Sequence, residues 1–300
     1  MIKVIKNTEN IREGFIKTGA GNIWYKIVGA NKKKIPIIIL HGGPAAPCCY
    51  LFPLEALSND RPIIFYDQLG CGQSDKTKDK AFWTIEYFVE ELSFIRKALD
   101  LEEIHILGHS WGTMLAVDYM LNVQPEGIKS LIFSAPCLSS SHWQKDQRSY
   151  LKELPQDIQE TIIKAEKNNE FNSKDYQDAM RVYYEKHLCR LNPWPQVLMK
   201  SFKMTSYEIY KYMWGASEFT MTGTLKNYER VKELKKINIP TLFTCGQFDE
   251  ATPQAASYYQ ENLPSSELFV FNDASHNHHL EKTGLYLSIV QDFIERVENQ

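Results

Sequence analysis

The segment Ile104-His105-Ile106-Leu107-Gly108-His109-Ser110-Trp111-Gly112-Thr113-Met114 narrows the possible folds more than any other part of the chain. A short apolar run leads into Gly-x-Ser-x-Gly, and the apolar pattern Leu115-Ala116-Val117-Asp118-Tyr119-Met120-Leu121 follows. That order predicts a strand, a tight turn and a helix, the setting of a nucleophile elbow. Residues without Cβ at Gly108 and Gly112 would let strand and helix approach closely and hold Ser110 on a strained turn with its Oγ exposed. The helix N-terminus would aim unsatisfied N–H groups and the positive end of its dipole at the same place, which suits an oxyanion.

The rest of the chain supplies the sheet such an elbow needs. Residues 13–18 and 22–28 flank the turn cluster Gly19-Ala20-Gly21 and predict a hairpin. Six runs, 35–40, 63–66, 104–107, 128–133, 241–245 and 268–271, are apolar without alternation, as strands covered on both faces should be. Helical patterns at 84–99, 111–123, 253–262 and 281–297 separate most of them. Strands alternating with helices predict an α/β fold, a mostly parallel central sheet with helices on both faces. The regularity breaks between about 138 and 234, a charged, aromatic-rich stretch with helical periodicity and no buried-strand run. The expected organisation is therefore a core of 1–137 and 235–300, interrupted by a helical cap at 138–234.

Composition excludes several function classes. The net charge of −3 argues against a nucleic-acid-binding surface. No apolar run approaches the ~18 residues of a transmembrane helix, and residues 1–7 lack the apolar core of a signal peptide. A cytoplasmic location is the default expectation. The six cysteines, Cys48, Cys49, Cys71, Cys137, Cys189 and Cys245, show no Cys-x-x-Cys or zinc-type spacing and are expected to be free thiols. Lys32-Lys33-Lys34 precedes a strand and is expected to lie on a solvated turn.

A serine attacks only when a base takes its proton, and the base needs an acid to orient it. In the α/β-hydrolase arrangement the order is Ser, Asp, His, and ligands gather at the carboxyl ends of the strands. The strand at 241–245 ends in Gly246-Gln247-Phe248-Asp249-Glu250, which makes Asp249 the natural acid. The strand at 268–271 ends in Asn272-Asp273-Ala274-Ser275-His276-Asn277-His278-His279. His276 is the first histidine off that strand and the favoured base, with His278 and His279 as competitors. Two backbone donors should hold the oxyanion. One is the N–H of Trp111. The other comes from His41-Gly42-Gly43-Pro44-Ala45, where Gly43 is favoured because Pro44 has no N–H. The glycine-rich 66–75 segment is expected to be a structural turn beside the site. No metal or organic cofactor is required.

Four motifs together resemble the proline iminopeptidase family of α/β-hydrolases. They are His41-Gly42-Gly43-Pro44, Tyr66-Asp67-Gln68-x-Gly-x-Gly-x-Ser74, Gly108-x-Ser110-Trp111-Gly112 and Gly246-x-Phe248-Asp249-Glu250-x-Thr252-Pro253. The piece 214–224 resembles the family too. At Ala45 and Cys48 the chain departs from the family's Gly and His. The resemblance implies a serine aminopeptidase that releases an N-terminal residue, proline or another small or hydrophobic one, from a short peptide or amino-acid amide. It also implies that Glu218 and Glu250 bind the free α-amine. Two carboxylates facing one pocket repel, and a bound ammonium relieves that repulsion. Trp111 and Phe219 are candidates to wall a pocket for a proline ring, with ordinary cap packing as the alternative. A small-molecule amidase, esterase or lactonase on the same triad is the alternative, and a non-catalytic ligand-binding module is a more distant one.

Overall fold

The computed structural model describes residues 2–300. Nine strands form one sheet. They are β1 (Ile2–Asn7), β2 (Ile11–Lys17), β3 (Asn22–Val28), β4 (Ile37–Leu40), β5 (Ile63–Tyr66), β6 (Ile104–His109), β7 (Ile128–Ser134), β8 (Thr241–Gly246) and β9 (Ser266–Phe271). Their order across the sheet is β1-β2-β3-β5-β4-β6-β7-β8-β9. β1, β2 and β3 pair antiparallel, as do β3 and β5, and every later pairing is parallel. The parallel part is the apolar, non-alternating part: β4, β5, β6 and β8 are buried at every residue. This is an α/β-hydrolase fold.

Helices α1 (Ile85–Ala98), α2 (Trp111–Asp118), α8 (Pro253–Glu261), α9 (His278–Glu281) and α10 (Thr283–Glu298) accompany the sheet. Their starts follow local capping chemistry. Thr84 accepts from the Tyr87 N–H at 3.2 Å, and Thr252, just ahead of Pro253 at the first helical position, accepts from Ala255 at 3.1 Å. α2 is buried at every residue and passes at Tyr119 into one π-helical turn that ends at Val123.

Between Ser134 and Thr241 no strand of the sheet occurs among the described residues. Helices α3 (Ser140–Lys152), α4 (Gln156–Asn168), α5 (Lys174–His187), α6 (Gln196–Met204) and α7 (Tyr207–Met213) fill this stretch. They carry a small apolar cluster of their own, including Leu151, Ile162, Met180, Tyr183 and Phe219. The sheet is packed on two larger clusters, one on each face. No helix among the described residues is long and apolar enough to cross a membrane.

Two elements differ from expectation. β1 is a strand although all six of its residues are exposed, the apolar Ile2, Val4 and Ile5 among them. Cys48–Asn59, beside the Gly-Gly-Pro loop, is a 3-10 segment with Pro53 inside it.

Candidate active site

Ser110 sits between β6 and α2 with φ 54° and ψ −120°. A non-glycine residue holds that conformation only where its surroundings impose it. Here the Ser110 N–H donates to Ser134 O at 2.9 Å, and its carbonyl accepts from the Thr113 N–H at 2.8 Å and the Thr113 hydroxyl at 2.7 Å. The flanking glycines let helix and sheet close around it. A Cβ at Gly108 would lie 2.5 Å from Gly112 O, and one at Gly112 would collide with Leu40 O.

Asp249 and His276 come from the carboxyl ends of β8 and β9. Asp249 is fully buried; its Oδ1 accepts from the Ala251 N–H at 2.8 Å and its Oδ2 from Gly246 at 3.1 Å. His276 Nδ1 lies 2.7 Å from Asp249 Oδ1, which assigns the proton to Nδ1 and leaves Nε2 toward the cavity. His278 lies on the far side of that acid. Its Nε2 meets the Ser134 and Thr244 hydroxyls at 3.1 and 2.9 Å, and burial pulls it down to about 3. His279 Nε2 meets Tyr50 O at 3.4 Å, and burial again pulls it to about 3. Both are committed away from Ser110.

The Gly-Gly-Pro loop after β4 lies against the elbow: a Cβ at Gly42 would be 3.2 Å from Ser110 Cβ. Among the described residues, neither the Gly43 nor the Trp111 N–H donates to a protein acceptor. Both amides are therefore uncommitted, Trp111 next after the serine in the chain and Gly43 next after the glycine that approaches it. Ala45 takes φ 65° in the same loop, a position where glycine is the usual residue, and its methyl is buried. The 66–75 turn braces this region. The Gln68 N–H donates to His41 Nε2 at 3.0 Å, and Gln68 Oε1 accepts from the Trp111 indole at 3.0 Å. Asp67 accepts from the N–H groups of Cys48 and Gln73 at 2.9 and 2.8 Å. His41, Asp67 and Cys71 converge as potential metal donors. With His41 and Asp67 already bonded to backbone amides, the cluster reads as a loop brace.

A cavity of about 710 Å³ opens over Ser110, bounded by the core on one side and the inserted helices on the other. Glu218 and Glu250 both line it, with His276. Glu218 Oε1 accepts from the Tyr210 hydroxyl at 2.5 Å. Glu250 Oε1 lies 3.4 Å from His276 Nε2, and its Oε2 is 3.4 Å from the Tyr183 hydroxyl. Burial raises both glutamates above the usual carboxylate range, Glu250 the further because Glu218 and Asp249 add repulsion. Burial pulls His276 down, but the Glu250, Asp249 and Glu218 carboxylates overcome it and push it up to about 9. No hydrogen bond joins Ser110 Oγ to His276 among the described residues.

The proposed aromatic wall needs correction. The Trp111 indole points away into the core, 6.0 Å from the Phe88 ring, and Phe219 packs 4.6 Å from Tyr183. Neither lines the cavity; Tyr176, Tyr184, Tyr210 and Trp214 do. Sequence reasoning also missed Tyr50. Its hydroxyl accepts from the Gly42 N–H at 2.8 Å and bonds His109 Nδ1 at 2.9 Å. Helical periodicity places such tyrosines on helices without saying which face meets the site.

Comparison with known proteins agrees with this geometry. Residues 35–283 match the alpha/beta hydrolase fold family. A proline iminopeptidase of Heyndrickxia coagulans is 45% identical over 286 residues, covering 95% of this chain and 99% of that protein. The crystal structure of a proline iminopeptidase from Mycobacterium smegmatis superposes with a TM-score of 0.88 at 30% identity, covering 95% of this chain and 98% of that one. The structure of VinJ superposes with a TM-score of 0.90, also at 30% identity and with the same coverage. The chain belongs to the proline iminopeptidase family of α/β-hydrolases.

Proposed function

We propose that this chain is a serine aminopeptidase releasing an N-terminal residue, proline or another small or hydrophobic one, from short peptides or amides. Ser110 Oγ attacks the carbonyl carbon of the first residue while His276 Nε2 takes its proton. Asp249 holds the imidazole and stabilises the imidazolium that forms. The N–H groups of Gly43 and Trp111 receive the negative charge that develops on the carbonyl oxygen. His276 then gives its proton to the leaving amine, and water, activated by the same histidine, hydrolyses the acyl-enzyme.

The observation that carries the substrate class is the pair of buried-facing carboxylates, Glu218 and Glu250, in the cavity that also holds Ser110 and His276. A free α-ammonium would neutralise them; a blocked N-terminus would leave them unpaired. The relatives' names point the same way. The segment 138–234 acts as the cap that limits access to short chains. The six cysteines stand as free, buried thiols, which suits a reducing, cytoplasmic compartment.

The test is hydrolysis of free and N-acetylated proline, alanine and leucine anilides by the wild type and Ser110→Ala. Cleavage restricted to the free amines, and lost by at least roughly a thousandfold in the variant, is the expected result. Equal rates on acetylated substrates would sink the amine-clamp reading and favour a general amidase or esterase.

A further inference from the structure

The nitrogen of His276 that must accept the serine proton is Nε2, because Nδ1 is committed to Asp249 at 2.7 Å. Within the cavity Nε2 has another neighbour. Glu250 Oε1 stands 3.4 Å from it, whereas Ser110 Oγ makes no hydrogen bond to His276 among the described residues. Glu250 is only 3% exposed. Its second oxygen has one long hydrogen bond, 3.4 Å from the Tyr183 hydroxyl, and that hydroxyl also bonds Gln147. A buried carboxylate so weakly served by neutral donors needs a cation.

We propose that Glu250 gates the catalytic base: without an amine it holds His276 protonated and unreactive, and a substrate ammonium releases the base by replacing it as the counter-ion of Glu250. This rests on the aminopeptidase reading above. No covalent bond between heavy atoms changes in the step. His276 Nε2 gives its proton to bulk water through the open cavity, and the ammonium brings the same charge to the pocket. The Nε2 lone pair is then free for the Ser110 hydroxyl.

The charged and titratable groups facing His276 are few enough to name. Asp249 and Glu250 come from the loop after β8, Glu218 from a turn of the inserted segment after α7, His109 from β6, and His278 and His279 from the start of α9. Burial holds the latter three histidines neutral. The carboxylates therefore decide the charge of His276, and they push it up to about 9 against burial. Among them, Glu250 alone reaches Nε2. The gate makes discrimination kinetic: an amine-free ester enters the cavity but meets a base that already carries its proton. Specificity would then appear in kcat as well as in KM.

The experiment compares hydrolysis of an amine-free p-nitrophenyl ester and of proline anilide by the wild type, Glu250→Gln and Glu218→Gln between pH 5 and 10. On the ester, the wild type should show its acid limb above neutrality. Glu250→Gln should move that limb down by about one unit or more, a gain of roughly tenfold at pH 7. On proline anilide the same variant should lose kcat/KM. Glu218→Gln should also weaken the free-amine substrate but lower the ester limb less than Glu250→Gln does, because Glu218 acts on His276 only from beyond contact distance. Glu250→Asp, which withdraws the carboxylate by one methylene, should shift the limb in the same direction and serves if the glutamine variant folds poorly. An ester limb unchanged in both Glu250 variants would overturn the gate while leaving the amine clamp intact. Equal wild-type cleavage of free and acetylated anilides would instead overturn the clamp on which the gate rests.

Discussion

At the scale of single residues, the Tyr50 hydroxyl joins three parts of the site that lie far apart in the chain. It accepts from Gly42 at 2.8 Å and donates to His109 Nδ1 at 2.9 Å, and His109 Nε2–H then donates to His276 O at 3.0 Å. Burial raises the tyrosine and lowers the histidine, so the first stays protonated and the second neutral. One chain of bonds thus ties the oxyanion loop to the residue before the nucleophile and to the backbone of the base. Tyr50→Phe would leave the Gly42 N–H and His109 Nδ1 buried without their partner, a loss of ~1–3 kcal/mol in stability. Because the disturbed loop carries Gly43, the proposed oxyanion donor, kcat for proline anilide should fall several-fold with KM nearly unchanged. Steady-state kinetics with a thermal melt checks both; an unchanged kcat would show that Tyr50 only packs.

At the scale of elements, α2 and the inserted segment are held together by a buried acid. Asp118, at the end of α2, pairs with Arg230 Nη2 at 2.8 Å and accepts from the Tyr228 hydroxyl at 2.6 Å. Arg230 is part-exposed, at 32%, which discounts the ion pair, but the Tyr228 hydroxyl is buried. Asp118→Ala should lower stability by ~2–3 kcal/mol, read as a reduced urea midpoint, and should loosen the return of the inserted segment to β8. A midpoint within error of the wild type would mean that the pair is solvated in solution. Pairings of this kind are what the sequence left hidden. The parallel strands were legible because burial on both faces forces unbroken apolar runs, and the hairpin because its turn chemistry is local. The serine motif, the acid and the histidine were legible as candidates because each follows a strand end. The stretch 138–234 announced helices but not their borders or facing sides, since Tyr183 meets Glu250 and Gln147 across 67 and 36 positions. β1 was not legible because its apolar Ile2, Val4 and Ile5 stand exposed on an edge strand and bury no face, and of the two readings of Trp111 packing prevails because Gln68, not the cavity, receives its indole.

At the scale of the whole molecule, buried titrating groups shape stability against pH. Of the eight histidines, His41, His105, His109, His187, His278 and His279 are lowered, burial being the first cause in each. His105 and His187 fall to about 4, and His278 and His279 to about 3. Below pH ~6.5 the unfolded chain protonates these six and the folded chain does not, so acid favours unfolding by ~1.4 kcal/mol per proton and pH unit. Raised groups oppose this. Burial lifts Glu91 to about 8 against its bond from the Leu69 N–H, and Glu218 is raised as well. These keep protons that the unfolded chain sheds above pH ~4.5, but two such groups do not offset six histidines. Glu250, paired with His276, leaves the shared proton on the imidazole. Above pH ~6.5 the six are neutral in both states, and the raised groups act, now with His276, held up to about 9, and, as the pH nears that of a free thiol, with the six cysteines, all raised by burial. Their contribution is fully present below the unfolded value and is lost as pH rises through the folded one. Stability should therefore peak near pH ~6.5 and fall both toward pH 5 and toward pH 9. Scanning calorimetry from pH 4.5 to 9.5 tests the shape, and a Tm that keeps climbing to pH 9 would contradict it. Glu91→Gln isolates one contribution: its amide oxygen can still accept from Leu69, yet it cannot titrate, so the decline between pH 7 and 8 should become shallower and the fall from pH 6.5 to 5 steeper.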